Sequence, residues 1–526
     1  IDTEGERPKI ETFDDILPYV GEASRYQWFL FIMLLPFTFV YAFLYFTQFF
    51  ITLLPAEHWC TVPELEQWNL TDKQNEELLA EGATSFSRCN MYNVNYTDIL
   101  ESGIREANPS WPIKPCQYGW TFNHTMIPYK SIAVELEWVC DHAFLGSAAQ
   151  SAFFVGSILG GLIFGYIADH CGRIPALVAC NTVGFIASVG TAFCNSFWSF
   201  CLARLVVGTS FDNCFNVLFI IVIEYVGPKY RTLVANMSFG LYFAAASSLL
   251  PWIAYWISNW RILSMVTACP MVAFITFAYF IYFRSWYITS GRVDKAIEML
   301  KNFAKVNGKE VKQEIFDEFE KSCKAMNEKD QSHNQYTVLH LFKLPRLGRI
   351  TIMLLMVWVF DGHVWNMKLL DPDVFTSFSL ASLTELPAAV LLALFLDRWG
   401  RRWMGFASMF LCGIFSFVAI ATPSAIVAFT YFSTLNIAAN IGFQYAAEML
   451  PTVVRAQGVS LIHIIGYIAD IDPSLPLVAL GLLSFGHAFL TLGLPETLNQ
   501  ELPETLQEGN DFGKEQSFWW VPCISS

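Results

Sequence analysis

Charged side chains are scarce in this sequence of 526 residues, of which only 15% are Asp, Glu, Lys or Arg. Soluble domains carry about 25%. Hydrophobic residues make up 54% and aromatic residues 16%, so too few polar side chains remain to cover a soluble protein of this length. The composition therefore excludes an ordinary soluble enzyme and indicates a protein whose apolar surface is solvated by a lipid bilayer.

Sequence signals of catalysis and of cofactor binding are also lacking. No Gly-Lys-Ser/Thr loop for a nucleotide phosphate occurs, so ATP hydrolysis as an energy source is unsupported. His142, His170, His363 and His463 are scattered singly, without the spacing of metal ligands. We therefore expect no enzyme activity, no catalytic residue, no cofactor and no metal. Nothing in the charge pattern indicates nucleic-acid binding.

Apolar runs fall into two groups of six, separated by a basic segment. Each run approaches the roughly 20 residues that cross a ~30 Å bilayer core, although the eleventh is short. We predict an all-α membrane protein with twelve transmembrane helices in two six-helix halves, 27–283 and 347–494. The runs lie near 27–54, 144–167, 174–194, 197–225, 233–256, 262–283, 347–366, 374–396, 404–422, 424–447, 455–469 and 475–494.

The distribution of charge predicts the topology. Residues 55–143 hold thirteen acids against five bases, whereas residues 284–346 hold twelve bases. Basic segments stay in the cytoplasm, so 284–346 is predicted to be a cytoplasmic loop, with helices from Val293 and from Gln313. Residues 1–26 lack the basic start of a signal peptide. We expect 1–26 and 495–526 to be cytoplasmic tails of a multi-pass plasma-membrane protein.

The acidic segment 55–143 has the features of an extracellular loop. It contains four cysteines, which fit two disulfides with three possible pairings. It also contains three sequons for N-glycosylation. Together these features predict a disulfide-bonded, glycosylated extracellular loop after the first span. The cysteines are Cys60, Cys89, Cys116 and Cys140, and the sequons begin at Asn69, Asn95 and Asn123.

A short motif occurs at the cytoplasmic end of the second span of each half. In each copy an acidic residue is followed by Gly and then by Arg. Gly permits a tight turn, and Asp can pair with the Arg or cap the next helix. Two copies in equivalent places favour a gating role over an ordinary charged loop. The residues are Gly165, Asp169, Gly172 and Arg173 in the first copy, and Asp397, Arg398, Gly400 and Arg401 in the second.

With these motifs the sequence resembles the major facilitator superfamily, and within it the organic cation, anion and zwitterion transporter branch. It is most similar to insect organic cation transporters of the carcinine type. Matching pieces are the large loop after the first span, the run Glu224–Arg231, Glu385 with its Leu-Pro-Ala, and the run Leu494–Thr497. The resemblance implies a monomeric alternating-access carrier whose substrate lies near the midplane between two rocking halves.

Acids within the spans are the candidate contacts for a cation, because a buried charge is costly and usually faces a cavity or a partner. Asp212 lies in the fourth span and shares a helix face with Phe215, so it offers a counter-charge beside a ring for cation–π contact. The alternative is a structural pair with a base on another helix or with Arg204. Cation-transporting relatives often have a Lys near the position of Asp212, so the Asp departs from the pattern of the family.

The seventh span presents Trp358, Asp361 and Trp365 on one helix face, at i, i+3 and i+7. The resemblance implies that the two Trp positions line the cavity. Asp361 is a candidate substrate contact, and the alternative is a cap at a helix break beside Gly362. His363 is interpreted as structural.

The resemblance supplies the remaining candidates for substrate binding. Glu385 matches an acid found in cation, anion and zwitterion carriers alike, so a gate or an inter-helix ion pair is an equal alternative. Tyr467 stands where relatives carry the charged residue that selects the substrate, so this selector is missing. Gln150, Phe243 and Asn440 match cavity positions, with plain packing as the alternative.

The leading hypothesis is transport of small organic cations or cation-bearing zwitterions, such as carcinine, amines or carnitine-like compounds. An organic anion exchanger is the second, and it is weakened because no base lies in the middle of spans seven to eleven. A third, of another class, is a membrane receptor or sensor that does not transport.

Overall fold

The computed structural model is predominantly helical. It describes residues 13–66, 89–102, 110–285, 293–320, 338–358, 373–451 and 477–516, with residues 108 and 458. Excepted within these ranges are residues 22, 23, 56, 126, 172, 227, 423, 499, 501, 502, 504, 505 and 515.

The N-terminal half consists of long helices that coincide with the first six apolar runs. Residues Ser238–Phe243 form a π-helix between two α-helical segments of what is otherwise one continuous helix. The helices are α1 Phe13–Val20, α2 Arg25–Ile51, α3 Phe144–Cys171, α4 Arg173–Thr191, α5 Phe197–Tyr225, α6 Pro228–Met237, α7 Ala244–Ile257 and α8 Trp260–Ser285.

The cytoplasmic segment and the C-terminal half are also helical. As predicted from the apolar spacing, one loop helix begins at Val293, and residues 313–320 are helical as well. A 3-10 turn, Val338–Phe342, precedes the second half. The helices are α9 Val293–Asn307, α10 Pro345–Trp358, α11 Val374–Leu383, α12 Glu385–Trp399, α13 Arg401–Ala421, α14 Ala425–Met449, α15 Leu477–Leu492 and α16 Leu506–Asp511.

Six helices of the described residues are long and apolar enough to cross a membrane, and three shorter apolar helices accompany them. Described helices overlie every candidate span except 455–469, of which the structure describes only residue 458. The helices therefore agree with the predicted arrangement of spans in two groups, whereas the full number of twelve spans stays a prediction.

Small residues allow α3 and α5 to approach closely. A Cβ on Gly156 would lie 1.9 Å from the carbonyl oxygen of Leu205, and a Cβ on Gly160 equally close to that of Thr209. On the facing helix, a Cβ on Gly208 would lie 2.0 Å from the carbonyl oxygen of Phe153. Without a hydrophobic driving force between helices in lipid, such backbone contact supplies the packing energy.

The two halves meet along α6–α7 and α11–α12. Inside the π-helix, a Cβ on Gly240 would lie 2.1 Å from the Cβ of Ala389, so only glycine fits there. Further out, the hydroxyl of Ser379 donates to the carbonyl of Ser248 at 3.1 Å. These four helices thus bring residues of the two halves together midway between the two ends of the spans.

The segment 55–143, the predicted extracellular loop, forms a small domain that has two two-stranded antiparallel sheets in its described residues. Strand β1 (His58–Cys60) pairs with β4 (Trp120–Phe122), and β2 (Asn90–Tyr92) pairs with β3 (Ile113–Pro115). Short helices span Pro63–Glu66, Tyr96–Glu101 and Ile132–Glu135, and a 3-10 turn spans Cys140–His142.

Of the three possible disulfide pairings, the structure has Cys60–Cys116 and Cys89–Cys140. Their Cα atoms lie 5.2 Å and 5.6 Å apart, within the normal range. The amide of Asn95 hydrogen-bonds at the surface to Asp98, and that of Asn123 to Glu57. Asn69 lies outside the described residues, and glycosylation of the three sequons stays a prediction.

Removal of the first disulfide by a Cys60→Ser/Cys116→Ser double substitution is expected to destabilise the loop domain. The bridge joins residues that are 56 apart in the sequence. Closing a loop of that length lowers the entropy of the unfolded chain, which stabilises the folded state by about 4 kcal/mol. Surface biotinylation should show a several-fold loss of protein at the cell surface. Cys269→Ser, at an exposed free cysteine, is the matched control and should leave that amount unchanged.

Candidate functional site

A group of aromatic rings from α2, α5 and the π-helix forms the centre of the N-terminal half. Tyr41 stacks on Phe211 with ring centres 4.7 Å apart, and it also contacts Phe215 at 5.4 Å and Phe243 at 5.9 Å. Tyr45 stacks on the same Phe211 at 5.2 Å. We call these five residues the inner aromatic group. It unites two residues that the sequence analysis named separately, Phe215 and Phe243.

Across the contact between the halves lies a buried acid. Glu385 begins α12 and is 8% exposed. Asn440 on α14 donates from Nδ2 to Glu385 Oε1 at 2.5 Å. One turn earlier, Asn436 donates to the hydroxyl of Thr384 at 2.9 Å. The structure therefore brings together Glu385 and Asn440, which were predicted independently.

The backbone of Glu385 lies at the close contact between the halves, near the π-helix that carries Phe243. A Cβ on Gly240 would lie 3.7 Å from the carbonyl oxygen of Glu385, and Phe243 follows in the same π-helix. π-Helical turns within α-helices are frequent at functional sites. Here the extra turn carries both the glycine that meets the second half and an aromatic ring of the first.

Several predicted residues lie outside the described part of the chain. Asp361, Trp365 and Tyr467 fall there, as do the side chains of Asp212 and Trp358. Gln150 is half-buried on α3, three residues before Phe153. The described partners of Arg204, the alternative partner considered for Asp212, are Gln48, Leu44 and Phe153.

Aromatic rings also join the halves near the extracellular ends of α2 and α11. Phe378 contacts Phe46, Phe49 and Phe50 with ring centres 4.8, 5.6 and 5.1 Å apart, and Phe375 stacks on Phe50 at 6.0 Å. We call these five residues the outer aromatic cluster. Sequence reasoning missed it, because Phe is common throughout the chain and nothing marks these positions.

The extracellular loop contributes one tyrosine to the outer aromatic cluster. Tyr129 is 3% exposed, and its hydroxyl donates to the carbonyl of Phe50 at 2.9 Å. Its ring lies 6.5 Å from that of Phe375. Burial raises the pKa of Tyr129, so the hydroxyl remains a donor. The loop is tied to α8 nearby, where Arg261 donates twice to Glu135, at 2.6 and 2.8 Å.

Tyr129→Phe is expected to let the outer end open more readily. The ring is kept, and one hydrogen bond worth about 1 kcal/mol is lost. A change of this size raises the ratio of open to closed protein about fivefold. In a Tyr45→Cys background, the rate of labelling by an impermeant thiol reagent from outside should rise by about that factor. Tyr118→Phe, at an exposed tyrosine of the same loop, is the control. Equal labelling rates would contradict a gating contact at Tyr129.

A charge network lies at the opposite end of the spans from the outer aromatic cluster, around the second copy of the repeated motif. Arg401 is 6% exposed and donates from Nη1 to Asp397 at 3.0 Å. It also binds both carboxylate oxygens of Glu448, each at 3.1 Å. Thr232 of the first half donates to Asp397 at 3.2 Å, so the network crosses between the halves. Arg398 is exposed and lies on the outside of this network.

A second acid fixes the turn itself. Glu496 is fully buried and accepts hydrogen bonds from the backbone N–H groups of Arg401 and Arg402, at 2.9 and 3.0 Å. A carboxylate at a helix N-terminus satisfies otherwise unpaired donors and opposes the helix dipole. Gly400 has a left-handed conformation with φ of 82°, and its turn places these two backbone N–H groups. Glu448 and Glu496 were not among the predicted site residues, although Glu496 belongs to the Leu494–Thr497 run.

The first copy of the motif is described only in part. Gly165 lies on α3, with no atom within 4 Å of where a Cβ would be. Gly172 and the side chains of Asp169 and Arg173 lie outside the described residues.

Comparisons with known proteins agree with this architecture. The family model "Sugar (and other) transporter" matches residues 116–471. A carcinine transporter of Drosophila melanogaster is 30% identical over 96% of this chain and 80% of that protein, and a beta-alanine transporter of the same fly is 30% identical over 98% and 91%. Solute carrier family 22 member 3 of Rattus norvegicus is 28% identical over 96% and 97%.

Among solved structures, the proton:xylose symporter XylE shares the fold, with a TM-score of 0.58, 12% identity and coverage of 93% of this chain and 98% of that one. At that identity the likeness concerns the fold alone. The chain therefore belongs to the sugar (and other) transporter family and, within the major facilitator superfamily, to the branch of the organic cation transporters and solute carrier family 22. It is a multi-pass membrane transporter and not an enzyme.

Proposed function

We propose that this transporter carries small organic cations, or zwitterions that bear a cationic group, across the plasma membrane by alternating access. Relatives that match nearly its whole length carry the names carcinine, beta-alanine and organic cation transporter. Carcinine-like amines and carnitine-like compounds have the chemistry that the site favours. An organic anion exchanger is not favoured.

The observation that carries the proposal is the buried carboxylate of Glu385, a residue whose backbone lies against Gly240, three residues before Phe243 of the inner aromatic group. An acid in a span usually faces a cavity or a partner, because its burial is costly. An organic cation bound there would add a counter-charge for the carboxylate, while ring faces attract the cation through their quadrupole. We expect Asp212 and Asp361 to add to the negative field, with Trp358, Trp365, Tyr467 and Gln150 as further cavity residues.

The two ends of the spans fit a carrier that closes on either side. The outer aromatic cluster would part in the outward-facing state, and the contacts of Thr232 with Asp397 and Arg401 would part in the inward-facing state. Membrane potential drives cation entry, since one charge crossing 100 mV gains about 2.3 kcal/mol, or about fiftyfold in concentration. We expect a monomer with both termini in the cytoplasm.

An uptake screen in oocytes tests the proposal. Labelled amines, carnitine-like zwitterions and dicarboxylates should be compared with and without sodium, for the wild type and for Asp212→Asn and Asp361→Asn. Uptake of amines or zwitterions, inhibited by quaternary amines and reduced in the variants, is expected. Dicarboxylate uptake without amine uptake would contradict it, and binding without flux would favour a receptor.

A further inference from the structure

A buried cluster of hydrogen-bond donors lies between α2 and α5, apart from the residues assigned to the cation. Arg204 is 2% exposed, and its guanidinium carbon lies 4.9 Å from the ring centre of Phe153. Its Nε donates to Oε1 of Gln48 at 2.5 Å, and Nη2 donates to the carbonyl of Leu44 at 3.4 Å. All three partners are neutral.

Two more donors on α2 have no partner among the described residues. Nε2 of Gln48 and the hydroxyl of Thr47 are buried without a hydrogen bond, in residues only 1% and 3% exposed. Of the five N–H donors of a guanidinium, the hydrogen bonds of Arg204 to Gln48 and Leu44 use two. Within the described ranges, no carboxylate forms an ion pair with Arg204.

This combination is costly in an unliganded protein. A buried charge without a counter-charge and buried donors without acceptors each oppose folding. One anion relieves both costs, because it neutralises the guanidinium and accepts hydrogen bonds from it and from the amide of Gln48. Arg binds carboxylates in a bidentate geometry, with two parallel N–H donors.

The cluster lies on the extracellular side of the inner aromatic group. Arg204 is seven residues into α5, about 10 Å from its outer end, and Gln48 is three residues before the end of α2. The Phe153 ring beneath Arg204 is 5.3 Å from that of Phe211, which stacks on Tyr41. An anion here would lie one ring layer outside the place assigned to the cation.

We propose that Arg204 and Gln48 form an anion-binding site for a small monovalent anion. Its occupant is either the carboxylate of a zwitterionic substrate or a chloride ion. The site adds to the proposed cation function a second charge of opposite sign, on residues that the cation does not use.

The test measures thermal unfolding of the purified full-length protein in detergent, in sodium isethionate. Sodium chloride, carnitine and choline, which lacks the carboxylate of carnitine, are added separately. A ligand bound to the folded state raises Tm, here by about 3 °C at a ligand concentration of about a hundred times Kd. A rise with chloride assigns the ion, and a rise with carnitine but not with choline assigns the substrate carboxylate. Equal Tm values in all conditions would overturn the proposal.

Gln48→Glu is the diagnostic variant, because it adds a carboxylate beside Arg204 and does not remove a buried group. We expect it to raise Tm in isethionate and to abolish the shift with the anion. A shift of unchanged size in Gln48→Glu would also overturn the proposal. Choline uptake in chloride-free medium reports separately on cation transport, so its loss would contradict the proposed function and leave the anion site standing.

Discussion

Glu385→Gln is expected to reduce uptake of an organic cation by at least about tenfold at unchanged surface amount. The substitution conserves the shape and leaves an oxygen that accepts from Asn440, so the contact between α12 and α14 should survive. Only the negative charge is removed. In a low-dielectric site, loss of one opposite charge costs more than the ~1.4 kcal/mol that a tenfold effect requires.

Two matched variants separate charge from packing at Glu385. Glu385→Asp keeps the charge on a shorter side chain and should retain more uptake than Glu385→Gln. Asn440→Ala removes the hydrogen bond and keeps the charge, and should also have the smaller effect. If Glu385→Gln transports as well as the wild type while Asn440→Ala does not, the acid is a structural partner and not the counter-charge of the substrate.

Glu448→Gln is expected to abolish most uptake by disrupting the charge network at the cytoplasmic end. Arg401 is 6% exposed and binds Glu448 through two hydrogen bonds. Removal of one partner from a buried pair is costly, and in this variant Arg401 keeps only Asp397, which is exposed, as an ion-pair partner among the described residues. Uptake and the Tm of the purified protein should both fall.

The two arginines of the motif provide the control for that network. Arg398 is exposed, whereas Arg401 is buried between the acids, so Arg398→Ala should have little effect and Arg401→Ala a large one. An Arg401→Glu/Glu448→Arg exchange should restore part of the uptake if the pair itself matters. Equal loss in Arg398→Ala and Arg401→Ala would contradict the assigned geometry.

Features with a local signature were predictable from the sequence. Apolar runs predicted the long helices, since length in a bilayer is set by its thickness. The pairing of four cysteines stayed open, because three pairings satisfy the same count and the contact of Cys60 with Cys116, 56 residues later, depends on the tertiary fold of the loop. The close approach of Gly240 to Ala389 could not be predicted either, as it depends on how the halves dock.

The candidate site divides in the same way. Glu385 and Asn440 were found through the resemblance, and their contact across 55 residues of sequence was visible only in the structure. Glu448 is the counter-example, since it lies near the end of α14 and looks like an ordinary terminal charge. Its partner Arg401 is 47 residues away in the sequence, a pairing that no local pattern encodes.

The most direct test of the account is uptake of a labelled organic cation by the purified protein in proteoliposomes with an imposed potassium diffusion potential. The account predicts saturable uptake that rises when the interior is negative, approaching a fiftyfold accumulation at about 100 mV for a carrier without a coupling ion. It also predicts strongly reduced uptake with Glu385→Gln. Uptake that does not change with the membrane potential, or that is the same in protein-free vesicles, would contradict transport of an organic cation by this protein.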